Sequence, residues 1–325
     1  MFNQAYLINE IVLPQDGSFG VGGRADLLYG EDFFVAQSAG FEAQRNGALK
    51  WNEQYYGLAI PQLYGEVGTK DVSVKVGHFY TIVGYESVMS VENFFYSHAY
   101  SYQFAGPFTH WGGLATAKLT DKFQVQAGLV NGWNALDRVN NRLGVLAGLK
   151  YTTTSWWSSF AIVTGDEPNN VANLPGILPK SENRTRYSYL LGLKPTSNFE
   201  YVFHHWLGLQ DDGTATGSTA LWYGIDQYIY YRLTEQLRVG GRVEWFRDEE
   251  GTRVGLARPS NPNTPPFEGN FYSLTFGFNY LPHPNLLLRP EIRSDWFGGS
   301  QSRKPFQDGQ SDHQLMLGFD AILRF

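Results

Sequence analysis

The chain has no cysteine, which excludes a disulfide scaffold, a thiolate metal site and a cysteine nucleophile. No run of about 18 apolar residues occurs, so a membrane-spanning helix is not expected. The membrane itself stays open, because a β-barrel satisfies its backbone between strands and crosses with alternating segments of about 10 residues. Charge is scarce, at 17% of residues, and its balance of −6 leaves no basic footprint for nucleic acid. Met1 to Pro14 lacks the basic start and apolar core of a signal peptide. For an exported protein, the expectation is that residues are missing ahead of Met1. HExxH, GxSxG and a phosphate-cradling glycine loop are absent too, so the sequence reads as non-enzymatic, with no cofactor.

What the chain has in excess is aromatic residues, at 16%, and glycine, at 36 of 325 residues. The last stretch shows how they are used. Asp312 to Phe325 places Leu315, Leu317, Phe319, Ala321, Leu323 and Phe325 on one face, and Gln314, Met316, Gly318, Asp320, Ile322 and Arg324 on the other. That is the period of two of a strand wet on one side only. Similar stretches run through the chain: Gln4 to Leu13, Phe19 to Tyr29, Gln54 to Gly68, Val72 to Tyr80, Thr109 to Leu119, Phe123 to Trp133, Arg142 to Thr152 and Trp156 to Val163, then Arg186 to Lys194, Phe199 to Gln210, Thr219 to Leu233, Leu237 to Arg247, Asn270 to Leu281 and Leu286 to Trp296.

Their connections alternate between short turns (PQDGS, TKD, TDK, TTTS, PTSN, TEQ, PHPN) and long polar or Gly/Pro-rich segments, such as Thr164 to Thr185, Asp248 to Gly269 and Phe297 to Ser311. Outer-membrane barrels have this asymmetry and sandwiches do not sort their loops so regularly. The expected fold is all-β: one antiparallel transmembrane β-barrel domain over residues 1–325, with about fifteen strands visible. Single-chain barrels have an even count, so about sixteen are expected in the intact protein, the extra strand lying upstream of Met1.

Period two also sorts the charge. Arg242 and Glu244 lie opposite Val243 and Trp245; Arg289, Glu291, Arg293 and Asp295 lie opposite Leu288, Pro290 and Ile292; Arg24 and Asp26 lie opposite Ala25 and Leu27; Lys75 faces inward. A charge facing lipid at mid-depth costs about 2 to 4 kcal/mol, so these residues are assigned to the lumen. Pro290 within a strand calls for a bulge or local irregularity. Tyr280, Trp296, Trp133, Trp156 and Tyr231, near strand ends, suit interfacial girdles or ordinary β-propensity.

One connection is unlike the others. Thr81 to Pro107 carries Tyr85, Phe94, Phe95, Tyr96, Tyr100, Tyr102 and Phe104, and each fully buried aromatic gains roughly 2 to 3 kcal/mol over an exposed one. It is expected to fold inward as the third outer loop and narrow the bore. Glu86, Glu92 and His98 would then approach Arg242, Glu244, Arg289, Glu291 and Arg293, either as a size and charge filter or as pairs that pin the loop. Two other readings stay open: a plugged structural or adhesive barrel presenting its outer loops to a partner, and a lipid-modifying barrel enzyme, for which no Ser/His pair stands out.

The remaining candidates are dull. His204 and His205 are adjacent and face opposite sides of a strand, and His78, His110, His283 and His313 are scattered, so no metal site is indicated. Asp211-Asp212-Gly213 and Asp308 to Asp312 could hold calcium on the rim but read more simply as turns.

The stretches VKVGHFYTIVGYESV and NFFYSHAYSYQFAGPFTHWG, with NQAYL, RADLLYGED, IPQLYGE, VEWFRDEEG and LPHPNLLLRPEIRSDWF, resemble the putative beta-barrel porin-2 family. The resemblance extends over essentially the whole chain. It implies a pore in the cell outer membrane, with a strand and a signal sequence ahead of NQAYL, and supplies no site residues. The terminal Phe325 resembles the end of bacterial outer-membrane barrels, where the assembly machinery reads that pattern. The partners implied are outer-membrane lipid, that machinery and small hydrophilic solutes passing by diffusion, with a homotrimer possible as in many general porins.

Overall fold

Among the described residues, fifteen antiparallel strands form one sheet in simple sequence order, each paired only with its neighbours in the chain. The computed structural model describes all residues except 45–47, 54, 169–180, 256–266 and 301. The strands are β1 (Ala5–Ile11), β2 (Gly20–Gly30), β3 (Gly57–Gly68), β4 (Val72–Tyr80), β5 (Thr109–Lys118), β6 (Phe123–Val130), β7 (Gly144–Thr152) and β8 (Trp156–Pro168), followed by β9 (Ser181–Leu193), β10 (Phe199–Gln210), β11 (Ala220–Arg232), β12 (Leu237–Asp248), β13 (Gly269–His283), β14 (Leu286–Gly298) and β15 (His313–Leu323). Every strand expected from the sequence is present. The largest departure is at β8 and β9, whose ladder continues through the polar pairs Thr164↔Thr185 to Pro168↔Ser181, a part expected to be loop.

The short turns share one device. Asp16 Oδ1 accepts the Ser18 N–H, and Thr69, Thr120, Thr153, Thr196 and Thr234 each accept, through Oγ1, the N–H of Val72, Phe123, Trp156, Phe199 and Leu237 respectively. In the last turn His283 Nδ1 takes the Asn285 N–H. A side chain thus satisfies a turn amide that the ladder leaves over, which is why Thr recurs in these turns.

Across the sheet the usual burial order is reversed. Leu315, Leu317 and Phe319 are 68%, 82% and 62% exposed and Val243 is 50% exposed, whereas Arg242, Glu244, Arg289 and Asp295 are at or below 1%. Charge inside and oil outside is stable only where the outer face meets hydrocarbon. The sheet also curls until its ends share one residue. Ser90 donates its N–H to Gln4 Oε1 just ahead of β1 and accepts from Arg289 on β14 through its carbonyl, at 3.0 and 2.8 Å. Among the described residues β1 and β15 do not pair. With an odd number of antiparallel strands these two run parallel, and β1 is exposed on nearly every residue.

Two expectations are refined. Pro290 keeps its place opposite Phe319 on β15, but on the β13 side no pair forms between Gly277↔Glu291 and Tyr280↔Leu288, and the register shifts between Tyr280 and His283. The missing proline N–H therefore falls on β13. Tyr280, Trp296, Trp156 and Tyr231 are exposed on the outer face, but Trp133 is buried in the connection after β6, with the guanidinium groups of Arg184 and Arg253 at 4.9 and 5.4 Å from its ring. It does not belong to a girdle. Asp212 and Asp308 adopt left-handed φ of 48° and 55°, as turn residues do.

Candidate functional site

The segment 81–108 between β4 and β5 meets the charged face of the sheet along its length. It contains a short 3-10 turn, Ser90–Glu92, and a short helix, α2 (Tyr100–Phe104). Its aromatics pack in groups: Tyr85 on Tyr228 at 4.7 Å between ring centres, Phe94 on Tyr230 at 4.8 Å, Tyr100 on Phe271 at 5.4 Å, and Tyr102 between His98 and Phe108 at 3.9 and 4.9 Å.

The hydrogen bonds follow an order dictated by the strand. Along β14 the inward positions alternate in sign, Arg289, Glu291, Arg293. Arg289 Nη1 donates to the carbonyls of Ser90 and Asn93 at 2.8 and 2.7 Å; Glu291 accepts the N–H groups of Tyr96 and Ser97 at 2.9 and 3.1 Å; Arg293 Nη1 donates to the His98 carbonyl at 2.6 Å. The turning segment offers this strand carbonyls, then amides, then a carbonyl, and the strand answers each with the complementary charge. β12 continues the pattern: Arg242 Nη1 donates to the Ser97 carbonyl at 2.7 Å and Glu244 accepts the Tyr100 N–H at 2.7 Å.

Glu86 is the hub. Its carboxylate accepts from Arg242 Nη1 at 2.9 Å, the Ala99 N–H at 2.9 Å and the Tyr228 hydroxyl at 3.1 Å, and pairs with His98 Nδ1 at 2.9 Å. Burial pushes its pKa up, but Arg242, His98 and the Ala99 amide outweigh that and hold it down to about 2. Arg242 Nε also stands 2.7 Å from Glu244 Oε1, a charge contact rather than an aligned hydrogen bond, since neither atom has a hydrogen-bond partner. Of the residues singled out in the sequence, Glu86, His98, Arg242, Glu244, Arg289, Glu291 and Arg293 join this network. Glu92 does not; it is exposed and forms no ion pair among the described residues. Phe325 lies beyond the end of β15, fully exposed.

Open space remains around the segment. One cavity of about 410 Å³ lies toward the short turns, lined by Glu92, Phe94, Glu200, Gln236 and Arg324. Another of about 430 Å³ lies toward the long connections, lined by Asp32, His98, Gln103, Phe267 and Phe306. A third, of about 250 Å³, is lined by the segment itself together with Arg186 and His204, and shares Tyr85, Glu86 and Glu92 with the first.

The strand register also assembles a group that the sequence did not reveal. Ser188 Oγ lies 2.9 Å from His204 Nε2, and His204 Nδ1 lies 2.8 Å from Asp226 Oδ2, which also accepts from Trp206 Nε1. These residues are 16 and 22 positions apart in the chain. Only the pairing of β9, β10 and β11 brings them together, so no spacing motif could have marked them. His205, on the opposite face of β10, stacks on Tyr187.

An oil-clad, inwardly charged antiparallel sheet with short turns at one end and long connections at the other defines a transmembrane β-barrel of the outer membrane. The chain belongs to the family described as Putative beta-barrel porin-2, OmpL-like, whose model matches residues 2–325. Similar solved structures include the outer membrane channel DcaP of Acinetobacter baumannii (14% identity, 98% of this chain and 84% of that one, TM-score 0.58), OmpF of Salmonella typhi in complex with daunomycin (12%, 99% and 91%, 0.60) and an anion-selective porin from Comamonas acidovorans (8%, 98% and 85%, 0.57). Among curated proteins no sequence match is found. The protein is an outer-membrane porin.

Proposed function

We propose that the porin passes small hydrophilic solutes by passive diffusion, and that segment 81–108 folds across the lumen and sets its narrowest section. The observation that carries this reading is the run of backbone bonds from Ser90 to Tyr100 onto Arg289, Glu291, Arg293, Arg242 and Glu244. A segment held by its backbone on one wall leaves its free edge and Glu92 toward the remaining space. The charges on β12 and β14 then act first as anchors, and their field on passing ions is what the anchoring leaves over. Sixteen strands close the barrel, the additional one lying antiparallel between β15 and β1, and three copies assemble, as the trimer form named for the Vibrio cholerae outer membrane protein OmpT does.

Single-channel recording in planar bilayers tests the pore: ohmic steps are expected, and silence from well-folded protein would favour a plugged barrel. Arg242→Ala and Arg289→Ala are expected to move the reversal potential toward cations. No movement in either removes the filter role from these positions. The enzymatic alternative gains a Ser/His pair from Ser188 and His204, but Ser188 is 2% exposed, faces the charged side rather than lipid, and lines none of the three cavities. The group reads as a buried hydrogen-bond chain. Fatty-acid release from phospholipid that disappears in Ser188→Ala would overturn that.

A further inference from the structure

We infer that Arg186 and Tyr102 form a binding subsite for the carboxylate group of a small organic anion, in the cavity of about 250 Å³ beside segment 81–108. The inference rests on the porin reading and names the class of solute.

Arg186 is buried and Tyr102 partly buried with its hydroxyl enclosed, and both hold hydrogen-bonding capacity in reserve. Arg186, on β9, is 2% exposed, yet its single hydrogen bond among the described residues is a long one from Nη1 to the Val83 carbonyl, at 3.4 Å. Its Nε has no partner, and no carboxylate lies within ion-pair distance of it among the described residues. A guanidinium has five N–H donors, and leaving a buried cation so poorly matched is expensive unless something else completes it. The Tyr102 hydroxyl, in the same cavity, is likewise buried without a partner.

Nor is the placement of Arg186 an accident of packing. The segment passes it at Gly84, in a left-handed conformation with φ 120°, and at Gly106, where a Cβ would collide with the guanidinium. Gly106 therefore keeps room for a charged head to which the segment gives only the long Val83 bond. The remaining walls are Tyr80, Ile82, Tyr85 and Phe108, an apolar and aromatic surround for an organic body. Two carboxylates also line the space: Glu86 is saturated by its donors, and Glu92 is exposed. A planar carboxylate matches the guanidinium fork, with the phenol as a further donor, whereas a spherical ion uses neither geometry.

The test uses benzoate as the probe, on the full chain refolded in detergent and in planar bilayers. Titration followed by intrinsic tryptophan fluorescence is expected to show saturable binding. Arg186→Gln should weaken it by about tenfold or more, Tyr102→Phe by a smaller factor, and Arg186→Lys should recover part of the loss. Folding of each variant is checked by the heat-dependent gel shift of the barrel, and Tyr102→Phe, which removes one oxygen, keeps the test available if a charge change unfolds the protein. In bilayers, benzoate should interrupt wild-type current and fail to do so in Arg186→Gln. Unchanged benzoate affinity in both Arg186→Gln and Tyr102→Phe overturns the subsite, and so does chloride or phosphate competing as strongly as benzoate. Binding without conductance would sink the porin reading and leave the subsite standing; conductance without binding would do the reverse.

Discussion

Two walls of the barrel offer inward arginines to the same segment and use them in opposite ways. On β12 and β14, Arg242, Arg289 and Arg293 are filled by carboxylates and backbone carbonyls. On β9, Arg186 is nearly as buried, yet makes one weak bond to the segment. A satisfied guanidinium is a fastener, because its donors are spent and its field is offset at close range. An unsatisfied one still has a partner to find. Counting charges in a lumen therefore says little about selectivity until each has been asked what it already holds.

The comparison breaks most severely if the anchored segment is taken away. Removing Ser87 to Ala105 should raise single-channel conductance severalfold and leave Arg186 facing open water; a drop in conductance, or failure to fold, would show that the segment supports the barrel rather than narrowing it. Arg242→Ala is next. It takes the nearest cation from the buried carboxylates of Glu86 and Glu244, and breaking such a pair costs about 3 to 5 kcal/mol. Noisy, larger current steps and a lower unfolding midpoint are expected.

A control on the outer face should cost nearly as much for an unrelated reason: Val243→Arg, one residue along, turns a charge to lipid and should lower stability by about 2 to 4 kcal/mol at mid-depth without altering selectivity. The smallest effect is on pH. Because the Glu86 pKa is lowered in the folded protein, from 4.5 to about 2, its contribution to docking is fully present above about 4.5 and is lost only as pH falls toward 2. Conductance that is constant between pH 5 and pH 7, at constant salt, and changes as the pH is taken toward 2 checks this; a transition near neutrality contradicts it.

Period two was enough to assign Arg242, Arg289, Glu291 and Arg293 to the inside, because lipid on the other face enforces strict alternation. The same reasoning faltered at Thr164 to Pro168 and Ser181 to Thr185, where the ladder runs on through polar pairs and hydrophobic alternation is no longer a guide. What each charge does was legible only in part. The aromatic richness of 81–108 marks it as a segment that needs a surface, but the matching of Arg289, Glu291 and Arg293 to carbonyl, amide and carbonyl depends on where the chain passes. Arg186 escaped notice for a related reason: its significance lies in Gly106, about eighty residues earlier in the chain and far outside any local pattern.

The threonine-closed turns bear on how such a wall is made. Because every ladder joins immediate chain neighbours and each tight corner is tied by its own side chain, alignment within a hairpin is decided by residues a few positions apart. A slip of one residue would turn charge toward lipid along the whole pair, so a misaligned hairpin is rejected by the bilayer itself. Quality control is thus distributed among the corners and delegated to the solvent, one pair of strands at a time.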